Sequence, residues 1–178
     1  MGIFLGFAPF VVFAVATSFL GATIGLAAGV ATSAALLLRE FFRRHQPKIL
    51  EIGTFVIFAG LLAWYSLFPS QHTILDVRLR VDIGLLLIIL ISMAIGKPFT
   101  LQYARERVPP ERWQSPRFTQ VNLVITSVWA LAFACIVAAD LMMIYMSAVP
   151  MRVGIVVTVA ALYGAYRFTG WYPERATR

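Results

Sequence analysis

From Ile3 to Leu38 the chain runs without a single charged side chain. As one helix rising 1.5 Å per residue, that run would be about 54 Å long. The hydrocarbon core of a bilayer is only roughly 30 Å thick, so the run must break. Pro9 and the Thr17-Ser18 pair are the expected weak points. Residues 3–18 then form a short re-entrant or interfacial helix, or a short first crossing. Residues 21–42 form the first full crossing, ending at Arg39, Arg43 and Arg44. Ala14-Val15-Ala16 has the small residues of a signal-peptide cleavage site, but the first basic residue after the terminal amine is Arg39. No charged leader precedes the apolar run, and the segment is expected to be retained.

The rest of the chain follows the same pattern. Hydrophobic residues make up 60% of it and charged residues 13%, against about half and about a quarter in a soluble domain. At 178 residues there is room for one domain, and a water-soluble core of that size could not enclose so much apolar surface. The apolar runs are continuous rather than alternating, which selects helices over a membrane barrel. Further crossings are expected over 49–68, stopped by Pro69; 74–96, closed by Gly96-Lys97-Pro98; 119–146; and 153–169, entered through Pro150. The expected fold is an all-α polytopic membrane helix bundle filling 1–178 as a single transmembrane domain. It has about five transmembrane helices plus the short N-terminal re-entrant or sixth helix, and an interfacial loop over 97–118.

The net charge is +7. In a soluble protein this would suggest nucleic acid, but here the basic residues flank apolar runs, so anionic lipid and topology account for them. Taking the crossings alternately, twelve of the fifteen Lys and Arg fall on one side; Arg78, Arg80 and Arg152 fall on the other. Basic residues gather on the cytoplasmic side, which is expected to place the carboxyl terminus there.

Several constellations invite a functional reading. Thr17, Gly21, Gly25, Gly29 and Ser33 recur every fourth residue, a spacing that lines small side chains along one helix face and admits a second backbone. The face is an internal helix contact, a homodimer seam or the lining of a groove. The 97–118 loop mixes Arg105, Glu106, Arg107, Glu111 and Arg112 with Phe99, Tyr103, Trp113 and Phe118. Thr100 is expected to cap a short helix there, which Pro109 and Pro110 stop. Such a segment would lie at the headgroups, touching lipid or a partner. Asp140 stands in an apolar run near the outer interface, within reach of Arg152 across a hairpin. Asp76 with Arg80, and Arg78 with Asp82, are spaced for ion pairs one turn apart. Cys135 reads as a small core hydrophobe. His45 and His72 fall in loops on opposite sides, and no metal-binding or nucleophile motif is present. No catalytic, cofactor or metal residues are expected.

Three local matches resemble the bacterial intracellular septation protein A family of inner-membrane-spanning proteins. They are the opening Phe4-Leu5-Gly6-Phe7-Ala8-Pro9-Phe10-Val11-Val12-Phe13, the run Gly96-Lys97-Pro98-Phe99, and Pro109 followed by Trp113, Asn122 and Phe133. The chain departs from that pattern at Gly6, where an acidic residue is expected, at Asp140, where an Asn is expected, and in a long Trp113-to-Asn122 interval. The resemblance implies a non-enzymatic role in envelope maintenance and septation, through division or envelope proteins or membrane lipids. Lys97, Pro98, Trp113 and Asn122 are implied as structural or contact positions. A small transporter or channel, with a cavity reached by Asn122, Asp140 or Arg152, is the alternative. A lipid-modifying enzyme with a cleft near Lys97, Tyr103 and Arg105 is a second.

Overall fold

A computed structural model describes residues 2–44, 47–68, 73–146 and 150–176. His45, His72, Pro69 and Arg178 lie outside them. Among the described residues every regular element is helical and no strand occurs. The chain divides into two compact units, Met1–Ile88 and Ile89–Arg178.

The first unit opens with α1 (Gly2–Leu20) and α2 (Ala22–Arg44). Pro9 lies inside α1 and does not end it. The break comes at Gly21, whose φ is +90°. Only glycine takes this left-handed conformation without a steric penalty. The Gly21 N–H still reaches the Thr17 carbonyl at 3.1 Å, and the Gly25 N–H reaches the Gly21 carbonyl at 3.0 Å. The small-residue ladder expected on one continuous face is therefore cut in the middle. Thr17 stays on α1 while Gly25 and Gly29 go to α2, and α1 folds back along α2.

The two halves of the ladder then meet. A Cβ on Gly25 would fall on the Thr17 hydroxyl and 3.0 Å from the Thr17 backbone nitrogen. A Cβ on Gly29 would lie 2.6 Å from the ring of Phe58, which belongs to α3 (Ile49–Leu67). Phe58 fills the space that Gly29 leaves. Its ring tilts against Phe10 at 5.2 Å and Phe13 at 5.4 Å. Phe13, Leu26, Phe58, Val77 and Val81 form the buried core of this unit. The glycine face is thus an internal helix contact, the plainest of the three expected readings.

The helix α4 (Ile74–Ala94) begins on a cap in which the Thr73 hydroxyl and Asp76 serve each other's donors. Asp76 is engaged there and not by Arg80 as the spacing suggested; Arg78 and Asp82 do pair, at 3.7 Å. The helix closes at Gly96 (φ +69°), where the Lys97 N–H returns to the Ser92 carbonyl.

In the second unit a short helix, α5 (Phe99–Ala104), precedes α6 (Pro116–Tyr145) and α7 (Met151–Ala176). α6 starts three residues before the expected position, because Ser115 caps it by accepting the Phe118 N–H and Pro116 occupies its first turn. α7 continues past residue 169. Its last turns are held by Phe168 stacked on Tyr172 and by Arg175 over the Trp171 ring at 4.7 Å. α6 and α7 are joined by the Trp129 indole N–H donating to the Thr169 hydroxyl and by Met143 packed on Gly154.

α2, α3, α6 and α7 are long and apolar enough to cross a membrane; α1 contributes a shorter apolar stretch, Leu5–Leu20. α4 is not among the four, since Asp76, Arg78, Arg80 and Asp82 occupy its first turns. Large apolar side chains such as Phe19, Leu131, Val156 and Val159 are exposed on these helices, a surface that suits lipid and not water. The chain is a multi-pass membrane protein by these features.

If the α1–α2 seam depends on backbone contact, Gly25→Val will lower thermal stability in detergent by about 1–3 kcal/mol, the usual cost of overpacking. Gly60→Ala, where a Cβ meets open space, will leave it unchanged or higher. Melting followed by circular dichroism compares the two; equal melting temperatures would contradict the seam.

Candidate interaction surface on the Lys97–Phe118 segment

The turn after α4 is fixed by one buried hydroxyl. Ser92 donates to the Ile89 carbonyl at 2.7 Å and accepts the Phe99 N–H at 3.2 Å. This points α5 back onto α6. Thr100, expected as a cap, instead lies within α5, and Pro98 holds the cap position. The Thr100 hydroxyl donates to the Asn122 carbonyl at 3.0 Å and is shared with the Thr126 hydroxyl at 2.8 Å. A hydroxyl has one proton to give and two lone pairs to offer, so it can donate to Asn122 and accept from Thr126. Asn122 donates its own amide to the Phe118 carbonyl at 2.8 Å.

Rings complete the anchor. Phe99 is fully buried and meets Tyr103 and Trp129 edge-on, each at 6.4 Å. Tyr103 is 5% exposed. The expectation that these rings dip into the headgroups is therefore corrected: α5 carries Phe99, Leu101 and Tyr103 on the side packed against protein, where they gain burial without needing lipid.

Beyond Ala104 the chain turns outward. Arg105, Glu106 and Arg107 are exposed, as are Glu111, Arg112 and Arg117. The Arg105 guanidinium lies 5.5 Å over the Trp113 ring, a cation–π contact, and the Trp113 indole N–H donates to the Val108 carbonyl at 2.8 Å. A 3-10 turn over Pro110–Arg112 joins this arm to Ser115. The arginines thus stand on a braced loop. Guanidinium groups so placed can bind anionic groups through paired hydrogen bonds.

Six of the residues singled out from the sequence come together here: Lys97 and Arg105 exposed, Trp113 half-buried, Pro98, Tyr103 and Asn122 buried. Gly25 and Gly29 belong to the packing of the first unit, and Gly21 to its turn. Asp140 is 0% exposed on α6, and Arg152 at the start of α7 is exposed. Cys135 is exposed on α6 rather than in a core.

Two features were not foreseen. Lys48 reaches Glu40 at 3.0 Å and Glu51 at 3.5 Å, all three buried, a staple across the α2–α3 turn. Acids at both edges of that turn were the available signal. The second is a hydrogen bond from Arg80 to the Tyr65 hydroxyl. Among the described residues no three His, Cys, Asp or Glu side chains are grouped to hold a metal ion.

In comparisons with known proteins, the chain matches no family model, no curated protein and no solved structure.

Replacing Thr100 by Val removes both tethers and strands the Thr126 hydroxyl. The expected cost is about 1–3 kcal/mol, concentrated on α5. Hydrogen exchange should speed up across residues 99–104 while α6 and α7 stay protected; unchanged exchange would show that the rings alone hold α5.

Proposed function

We propose that this is a non-enzymatic multi-pass protein of a bacterial inner membrane that acts by contact in cell-envelope maintenance and septation. The carrying observation is the braced Lys97–Phe118 segment. Its α5 is anchored to α6 by Thr100, while Arg105, Arg107, Arg112 and Arg117 remain exposed. A loop that only flanked a membrane helix would have no need of a buried anchor and two ring-held braces. A docking platform does, because a partner then meets a preformed surface.

The resemblance described above supports the envelope and septation role. Lys97, Pro98, Trp113 and Asn122, four of the positions that carry it, lie in this one segment or at its seat on α6. Sidedness supports it as well. The ends of the crossings that bear Arg39, Lys48, Lys97, Arg105, Arg107, Arg112, Arg117, Arg167 and Arg175 would face the cytoplasm, where division proteins and anionic headgroups are both within reach. A lipid-modifying reading needs an open cleft at Lys97, Tyr103 and Arg105. The burial of Tyr103 against Phe99 counts against it.

The test is photo-crosslinking in living cells from a reactive residue at position 105 or 112. Defined adducts to an envelope or division protein, or to lipid, are expected from both positions and none from position 103, which packs inside. Adducts from neither exposed position would remove the proposal.

A further inference from the structure

α3 and α4 lie side by side in a definite register. A Cβ on Gly53 would come within 2.7 Å of Ile88, and one on Gly84 within 2.7 Å of Ile57. A step of four residues along α3 is thus matched by four residues back along α4. Continued in that step, Ala59 falls opposite Asp82 and Leu61 opposite Arg80. Val77 and Val81, packed with Phe58, Leu61, Leu62 and Tyr65, hold the helices together over this stretch.

The register sets a depth. α3 has 19 residues and at 1.5 Å per residue is about 28 Å long, the thickness of one hydrocarbon core. Asp82 therefore stands about 12 Å inside the Leu67 end of α3 and Arg80 about 9 Å inside it. A charge at such depth is costly unless it is paired or reaches the surface. The two arginines solve this differently. Arg78 pairs with Asp82 at 3.7 Å, both partly buried. Arg80 meets no carboxylate among the described residues, and Asp76, one turn back, is held by Thr73. The Arg80 side chain instead runs toward the Leu67 end, as helix geometry directs it. There it donates to the Tyr65 hydroxyl, with its guanidinium 5.5 Å from the centroid of that ring.

This exposed guanidinium has five N–H donors, and Tyr65 accepts from one of its nitrogens. Tyr65 is two residues from the end of α3, where acyl chains give way to headgroups. Exposed Trp64, Leu67 and Phe68 flank it, with Trp64 and Phe68 in ring contact at 4.7 Å. The geometry points to a phospholipid phosphodiester bound by Arg80 and Tyr65 at the Leu67 end of α3. A phosphodiester supplies the single negative charge and paired oxygens that a guanidinium takes up, and its acyl chains suit the apolar rim. A free phosphate ion would find no use for that rim. The inference rests on α3 crossing the bilayer and not on the function proposed above.

The full chain, released from nanodiscs containing phosphatidylglycerol and weighed by native mass spectrometry, tests it. Wild type is expected to keep one phospholipid. Arg80→Gln should cut the lipid-bearing fraction about tenfold, as loss of a charge-assisted contact allows. Arg80→Lys, a point charge without the fork, should fall between them. Millimolar inorganic phosphate should leave the adduct in place. Lipid retention by Arg80→Gln at the wild-type level would overturn the site, and displacement by inorganic phosphate would overturn its assignment to lipid. Should Arg80→Gln lose its helical circular dichroism, Arg80→Lys decides: reduced retention supports the site and wild-type retention overturns it.

Discussion

Hydrocarbon offers no partner to a peptide N–H or carbonyl, so a chain in lipid must satisfy its backbone from within. That constraint explains where this protein turns. At Gly21 the chain reverses between two apolar helices, yet hydrogen bonds from Gly21 to Thr17 and from Gly25 to Gly21 run through the break. At Gly96 the same economy recurs, with Gly96 bonded to Met93 and Lys97 to Ser92. Both turns use the left-handed conformation that glycine adopts freely.

Within lipid, burial of apolar surface drives helices together only weakly, so close fit and hydrogen bonds must do it. The contacts follow that rule. Gly25 admits Thr17, Gly29 admits Phe58, Gly53 admits Ile88, Gly84 admits Ile57 and Gly154 admits Met143. In each the missing side chain is occupied by a neighbour from another helix. Hydroxyls supply the polar part: Thr100 with Thr126 on α5 and α6, and Thr169 with Trp129 on α6 and α7. The charged residues are handled by pairing and by reach. Lys48 lies between Glu40 and Glu51, Arg78 pairs with Asp82, and Arg80 extends to Tyr65.

Apolar run length and its punctuation made most of the helix layout legible in the sequence. The ends near Arg44, Leu67 and Ala94 follow from charge, Pro69 and Gly96. The first break was legible to within a few residues, since 3–18 and 21–42 were read apart, but not the residue that makes it. Pro9 was an expected weak point, yet it sits inside α1 and removes one backbone hydrogen bond without ending the helix, whereas a glycine inside a small-residue ladder can be either a rung or a hinge. Spacing cannot separate the two: as rungs of one helix Thr17 and Gly25 would share a face about 12 Å apart, and only across a hinge do they touch. The Lys97–Phe118 segment was legible as a dense mixture of charge and rings, but not its sidedness. Period and composition do not reveal that Tyr103 packs inward while Arg105 points out; Thr100, read as a cap, proved to be the anchor. Glu40 and Glu51 were overlooked because acids near helix ends are ordinarily solvated, and their burial depends on Lys48 arriving from the turn.

The account depends on lipid surrounding the outer faces of these helices. The chain's one cysteine reports on this without mutation. Cys135 is exposed on α6, about 15 Å short of its Tyr145 end at 1.5 Å per residue. A thiol reacts as its thiolate, which needs water. Membranes opened to give access from both sides can be treated with a charged maleimide, then dissolved in sodium dodecyl sulfate and treated again. No labelling before denaturation and full labelling after it is the predicted result. Labelling of the native protein at the rate of a water-exposed thiol would contradict the membrane placement and the roles built on it.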